Sequence, residues 1–274
     1  MKTIIFSDLD GTLLSKDFSF DEAKEALKRI NSEEIPLVFS SSKTKAEMEE
    51  IRKKLSNRHP FIAENGGGIF IPSRYFNFST IGQRLNGYEL IKLGRNYSEV
   101  RQALIEARSG IDARIWGFGD MTNEEVSKLT GLSVEEAELA RRRDFSEPFI
   151  FEGGKEAEAE LVRRIEEKGF SRVHGSLFHI LGPHDKGAAV RILKKFYTTI
   201  YGRIITIGIG DGPNDLPLLR EVDYPVIVKK PDGTYEEVVW PDLIKAEGIG
   251  PAGWNKAVTG ILDSIEASHR GYTC

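Results

Sequence analysis

The chain has 274 residues, 40% of them hydrophobic, with 38 Lys and Arg against 42 Asp and Glu for a net charge of -4. That length allows a core plus a second unit, and the near-balance of charge argues against a polyanion-binding surface, so no nucleic-acid partner is expected. A lone cysteine, Cys274, excludes a disulfide framework and a Cys-based metal site, and no apolar run approaches the roughly 20 residues that cross a bilayer.

The amino terminus enters strand pattern without a basic-plus-apolar leader, which leads to the expectation of a cytoplasmic protein with no membrane partner. Ile4, Ile5 and Phe6 read as a short buried strand that stops at Asp8-Leu9-Asp10-Gly11-Thr12. Phe20 to Ile30 has helical spacing, with Ser19 and Glu22 as a capping box. Ile35 to Phe39 is a second strand, and Thr44 to Leu55 a second helix, for which Ser40 is read as a cap. Pro60 to Ala63 opens a third strand, broken by Glu64-Asn65-Gly66-Gly67-Gly68 before Ile69 to Pro72. Strand, helix, strand, helix, strand is the opening of a doubly wound parallel sheet.

From about Ile81 the grammar changes. Strands are expected at Gly87 to Leu93, Ala113 to Phe118 and Phe149 to Glu152, and a strand pair or one long strand at Arg172 to Leu181. Helices are expected at Ser98 to Arg108 and Glu156 to Lys168, with two short ones capped by Thr122/Glu125 and Ser133/Glu136, the second running into Arg141-Arg142-Arg143. The first grammar then returns: a helix at Lys186 to Tyr197, an apolar strand at Arg203 to Ile209, and Gly210-Asp211-Gly212-Pro213-Asn214-Asp215 directly after it. A short helix at Asp215 to Glu221, a strand at Pro225 to Val228 and an amphipathic helix at Trp254 to Ala267 follow. The expectation is α/β: a doubly wound parallel-sheet core over 1–81 and 184–274, with an inserted α+β unit over 82–183.

Polar constellations fall at four places: Asp8 and Asp10 after the first strand, Ser41 and Lys43 after the second, Lys186 at a helix start, and Asp211 and Asp215 after the last long strand. Parallel strands bring such ends to one edge, where ligands of open α/β sheets bind. A hydroxyl, ammonium groups and carboxylates there suit phosphoryl transfer, with a divalent cation to offset the repulsion between acid and phosphate. Taken singly, each piece also has a plainer reading: Asp-Gly pairs make turns, Asp215 can open a helix, and His179, alternating with Phe178 and Ile180, reads as a core or surface histidine.

Asp8-Leu9-Asp10-Gly11-Thr12, Ser41, Lys186 and Gly210 to Asp215 together resemble the four motifs of the haloacid dehalogenase (HAD) superfamily of Mg-dependent phosphatases, and the insertion resembles its large α/β cap of type C2B. The resemblance implies that Asp8 is a nucleophile forming an aspartyl-phosphate and that Asp10 protonates the leaving oxygen and then activates water. Ser41 and Lys186 would bind the phosphoryl group, and Asp8, Asp10 (by its backbone carbonyl), Asp211 and Asp215 would hold Mg2+. A narrower likeness lies in Ser41-Ser42-Lys43-Thr44, Glu64-Asn65-Gly66-Gly67, Phe145-Ser146-Glu147-Pro148-Phe149 and Gly250-Pro251-Ala252-Gly253-Trp254-Asn255, which are similar to segments of mannosyl-3-phosphoglycerate phosphatases. By that likeness the partner is a small phosphorylated glycoside and the product mannosylglycerate, a compatible solute. Lys43, Thr44, Asn65, Gly66, Gly67, Arg142 and Ser146 are the expected substrate contacts. The rivals are phosphatases for glucosyl-3-phosphoglycerate or sucrose phosphate, a phosphomannomutase, and a non-catalytic sugar-phosphate binder.

Overall fold

A computed structural model describes residues 1–175 and 177–271, the last three of them by backbone alone; Cys274 lies outside the described residues. The chain divides into two compact units, residues 1–40 with 190–274, and residues 41–189. Strands and helices are numbered in chain order.

The first unit is built on parallel strands. β1 (Lys2–Ser7) has β2 (Leu37–Ser40) on one side and β11 (Ile204–Gly210) on the other; β12 (Tyr224–Lys229) and β13 (Ile244–Ile249) continue the run beyond β11. Ile4, Ile5 and Phe6 are fully buried, as expected of a strand covered on both faces. Helices α1 (Lys24–Ser32), α8 (Leu216–Leu219) and α9 (Gly250–Gly271) belong to this unit, and α7 (Lys186–Tyr201) begins in the second unit and continues into it. Asn255 of α9 accepts from the backbone N–H of Ala26 at 2.8 Å, satisfying a donor in the first turn of α1 that no intrahelical carbonyl can reach.

Two expectations need correction here. The chain enters α1 through a 3-10 turn over Asp21–Ala23, and the Ser19 hydroxyl accepts from Asp21 N–H at 3.2 Å, so the Ser19/Glu22 capping box does not form. The cap of α2 (Lys45–Lys54) is Thr44, reciprocally bonded with Glu47, and not Ser40, which closes β2.

In the second unit β3 (Phe61–Ala63) and β4 (Gly68–Pro72) form an antiparallel pair, extended by β6 (Tyr88–Lys92) and β5 (Gln83–Leu85), also antiparallel. A separate four-stranded antiparallel sheet runs β7 (Arg114–Gly117), β8 (Ser146–Glu152), β10 (Phe178–Leu181), β9 (Ser171–His174). Its apolar face packs on α3 (Tyr97–Ala107) and α6 (Lys155–Glu167) through Val100, Leu104, Phe149, Leu161, Ile165 and Ile180. Helices α4 (Asn123–Thr130) and α5 (Val134–Arg141) start at the expected boxes, Thr122/Glu125 and Ser133/Glu136, and bury Val126, Ala137 and Ala140 together. Of the two alternatives for Arg172 to Leu181, a strand pair or one long strand, the structure has the pair, β9 antiparallel to β10.

Candidate active site

The acidic residues gather in the first unit because of strand register. Ser7 of β1 sits opposite Ile209 of β11 in a parallel pair, so both strands end on the same edge, Asp8 following one and Asp211 the other. The backbone N–H of Asp8 donates to Ile209 O at 2.9 Å and prolongs the ladder by one bond. Asp8, Asp211 and Asp215 each offer a carboxylate oxygen, and the three oxygens lie within 4.8 Å of one another. Asp8 and Asp215 are buried, so mutual repulsion is poorly screened by water. Asp215 is held from behind: its Oδ2 accepts from the N–H of Asp211 at 3.0 Å and of Gly212 at 3.1 Å.

Backbone shape around the trio is set by glycine. Gly11 has φ +75°, and a Cβ there would stand 2.5 Å from Asp211 Oδ2. A Cβ on Gly210 would stand 2.3 Å from that of Asp215. The turn carrying Asp10 is tied by Gly11 N–H to Leu14 O at 2.9 Å and Leu14 N–H to Leu9 O at 2.8 Å, and leaves Asp10 half-buried. The Thr12 hydroxyl donates to Asp211 Oδ1 at 3.4 Å. Under Asp8, the Ser7 hydroxyl donates to the Asp8 carbonyl at 2.6 Å and accepts from Trp254 Nε1 at 3.0 Å. The Gly250 to Asn255 segment thus braces the end of β1 as well as α1. Lys230, directly after β12, was not singled out in the sequence; its Nζ meets Glu236 Oε2 at 2.6 Å. That bond, with Asp211 among the more distant carboxylates, raises the Lys230 ammonium pKa above its ordinary value.

Three clustered carboxylates, two of them buried, and a glycine cradle fit a hard divalent cation, which prefers oxygen ligands and keeps several waters. Asp8, Asp211 and Asp215 would hold it.

The second unit carries the remaining predicted residues. Ser41 is buried, with its hydroxyl accepting from Lys43 N–H at 3.3 Å, and Lys186 is completely buried at the start of α7. The Lys43 ammonium lies 3.8 Å from Glu47. Thr44 accepts from Glu47 N–H at 3.1 Å and donates its hydroxyl proton to Leu139 O at 2.9 Å, so that hydroxyl is engaged within the fold. Ser146 is likewise engaged, donating to Glu64 Oε2 at 2.8 Å and accepting from Arg143 at 3.0 Å. Asn65 and Gly66 are buried in a left-handed turn, φ +56° and +99°, and Gly67 packs against Phe145. Arg142 is exposed and paired with Glu138, whereas the Arg143 side chain, only 3% exposed, reaches Ser42 O at 2.8 Å. His179 is buried; burial, then the charges of Arg143, Lys186 and His174, hold its imidazole neutral well below the ordinary pKa. The reading of His179 as a core histidine fits that burial.

The family model for haloacid dehalogenase-like hydrolases matches residues 5–233. The chain belongs to this family. It is 45% identical over 267 residues to a glucosyl-3-phosphoglycerate/mannosyl-3-phosphoglycerate phosphatase of Persephonella marina, covering 96% of this chain and 98% of that one. It is 42% identical over 266 residues to a protein of the same name from Methanococcoides burtonii, again with 96% and 98% coverage. With relatives of this identity and coverage, the chain is a phosphoric monoester hydrolase. The fold is similar to that of the sucrose-phosphatase of a Synechocystis species, with TM-score 0.64 and 13% identity over 95% of this chain and 98% of that one. No described helix is long and apolar enough to cross a membrane.

Proposed function

We propose that the chain is a Mg2+-dependent phosphatase that hydrolyses mannosyl-3-phosphoglycerate to mannosylglycerate and phosphate. The observation that carries this reading is the carboxylate trio of Asp8, Asp211 and Asp215 at adjacent strand ends, in a member of a hydrolase family. Asp8 attacks phosphorus; the bond from phosphorus to the glycerate oxygen breaks, an aspartyl-phosphate forms, and Asp10 gives its proton to the leaving oxygen. Asp10 then takes a proton from water, whose oxygen attacks phosphorus and frees Asp8. Ser41 and Lys186 bind the phosphoryl oxygens, and Lys43 meets the substrate carboxylate. When bound, Mg2+ offsets the repulsion between these acids and the phosphate. The resemblance of the motifs supports these roles, as does the half-buried turn that presents Asp10.

Residues 82–183 are proposed as the substrate-reading cap. The names of the two relatives, which carry both hexoses, favour the glucosyl ester as a second substrate. The proposed location is the cytoplasm, since a phosphorylated, carboxylated glycoside does not cross a bilayer unaided.

The deciding experiment measures phosphate release from mannosyl- and glucosyl-3-phosphoglycerate with Mg2+, for the native chain and Asp8→Asn. Release from the mannosyl ester, abolished in the variant, is expected. Hydrolysis of a generic aryl phosphate but of neither ester would overturn the substrate, and retained turnover in Asp8→Asn the mechanism.

A further inference from the structure

The second unit contains a buried carboxylate to which the proposed reaction gives no role. Glu64 lies in the turn between β3 and β4 and is fully buried. Its two oxygens accept from three successive backbone N–H groups, Asp144 at 2.7 Å, Phe145 at 2.9 Å and Ser146 at 2.7 Å, and from the Ser146 hydroxyl at 2.8 Å. The Arg143 Nε stands 3.5 Å from Oε2. Oε1 accepts from Asp144 N–H alone, and Oε2 accepts from the other three donors.

The backbone around Glu64 adopts a costly conformation. Glu64, Asn65 and Gly66 have φ of +50°, +56° and +99° in succession. For the two residues with a Cβ this costs about 1–2 kcal/mol each, so the surroundings must over-determine the turn. They do so on two sides. On the side of residues 41–43, Glu64 N–H donates to Lys43 O and Asn65 N–H to Ser41 O, both at 2.9 Å, while Ser41 N–H donates to Ile62 O at 3.0 Å. Towards α7, the Glu64 carbonyl meets His184 Nε2 at 3.2 Å. Gly66 lies so close that a Cβ would stand 2.1 Å from Asp185 O and 3.0 Å from Lys186 N. One turn therefore touches the backbone of both Ser41 and Lys186. The Glu64 carboxylate pins that turn to the start of β8, and Arg143 closes the circuit by donating to Ser42 O.

We propose that Glu64 is a positioning residue that fixes Ser41 and Lys186 relative to one another through the left-handed turn, and so sets affinity for the phosphoryl group. The inference rests on the reading of those two residues as phosphate ligands. Glutamine would keep one acceptor oxygen for the three donors at Oε2 and turn its NH2 toward the Asp144 N–H, which needs an acceptor, loosening the turn without removing its bulk. Displacement of binding groups by about 1 Å costs up to about a hundredfold in rate.

The test compares Glu64→Gln with the native enzyme and with Lys186→Met, reading competitive inhibition by inorganic phosphate, KM for an aryl phosphate and the Mg2+ activation constant. The expected result for Glu64→Gln is a rise of about tenfold or more in both the phosphate inhibition constant and KM. The Mg2+ constant should stay within about twofold, because the circuit runs through Ser41, Ser42, Lys43, Arg143 and Ser146 and the carboxylate trio is tied by its own backbone bonds at Asp211 and Gly212. Weakened phosphate binding in Lys186→Met but not in Glu64→Gln overturns the positioning role and leaves the phosphate reading standing. Unchanged binding in Lys186→Met overturns the phosphate reading itself, and with it this inference. Should Glu64→Gln fail to fold, Ser146→Ala removes one of the four donors; a rise of about twofold to fivefold in the phosphate constant is expected, and none overturns the proposal.

Discussion

Substituting Gly11 by alanine separates stability from metal binding, because the added methyl group meets the site before it meets the fold. At φ +75° an alanine is strained by about 1–2 kcal/mol, which lowers Tm by several degrees in a chain of this size. The new Cβ would stand 2.5 Å from Asp211 Oδ2, against about 3.5 Å for ordinary contact, so one partner must give way by about 1 Å. The far end of the Asp211 side chain yields more easily than the turn, which two backbone bonds to Leu14 hold. The carboxylate then swings out of the trio. Loss of one charge-assisted contact is worth about 1.5–3 kcal/mol, so the Mg2+ activation constant should rise by about ten- to a hundredfold. The assay is phosphate release from an aryl phosphate across a Mg2+ titration, beside metal-free thermal unfolding. A lowered Tm with an unchanged activation curve would refute the reasoning, since Asp211 would have moved without consequence for the metal.

Two further predictions concern the second unit. Thr44→Ala removes both the cap of α2 and the donor to Leu139 O; a loss of about 1–2 kcal/mol in denaturant unfolding is expected, and a change below about 0.3 kcal/mol would contradict the capping account. His179 makes stability depend on pH. Its folded pKa lies below the ordinary 6.5, so it contributes stability above 6.5 that is lost as pH falls toward the folded value. The loss amounts to about 1.4 kcal/mol per pH unit until that value is reached. Glu64 and Glu147, whose pKa values burial raises, run the other way as pH falls. They are common to native protein and variant, so the difference between the two unfolding curves isolates His179. His179→Gln should flatten the decline below pH 6.5, and parallel curves for the two proteins would show that burial and the charges of Arg143, Lys186 and His174 do not keep this ring neutral.

Much of the fold was legible because its signals are local. The buried run at Ile4 to Phe6 and the boxes at Thr122 and Ser133 each state their element within a few residues. β5 was missed because Gln83–Leu85 carries no apolar pattern, and β13 because its alternation of Ile244, Ala246 and Gly248 with Lys245 and Glu247 is short and only weakly apolar. All three residues of β5 are exposed, and of β13 only Ala246 is buried, so both exist by backbone pairing to a neighbour that local sequence does not reveal. The failed box at Ser19 shows the limit of spacing alone: the same Ser-x-x-Glu pattern stands before a 3-10 turn, where the hydroxyl bonds the second N–H in place of the third.

The candidate site divides along the same line. Asp8 and Asp211 could be placed together from sequence, since each directly follows a run of strand residues and parallel neighbours end on one edge. The arginine run shows why the rest could not. Helical phase assigns directions to side chains only while the helix lasts, and α5 ends at Arg141. Arg142 leaves it at φ -77°, ψ 62°, so which arginine turns inward depends on the path of the chain into β8. That path is held by the Glu64 carboxylate, some eighty residues earlier in the chain. Arg143 is therefore buried by a contact that no window around residues 141–143 contains, and Arg142, identical in composition and adjacent in sequence, pairs with Glu138 at the surface.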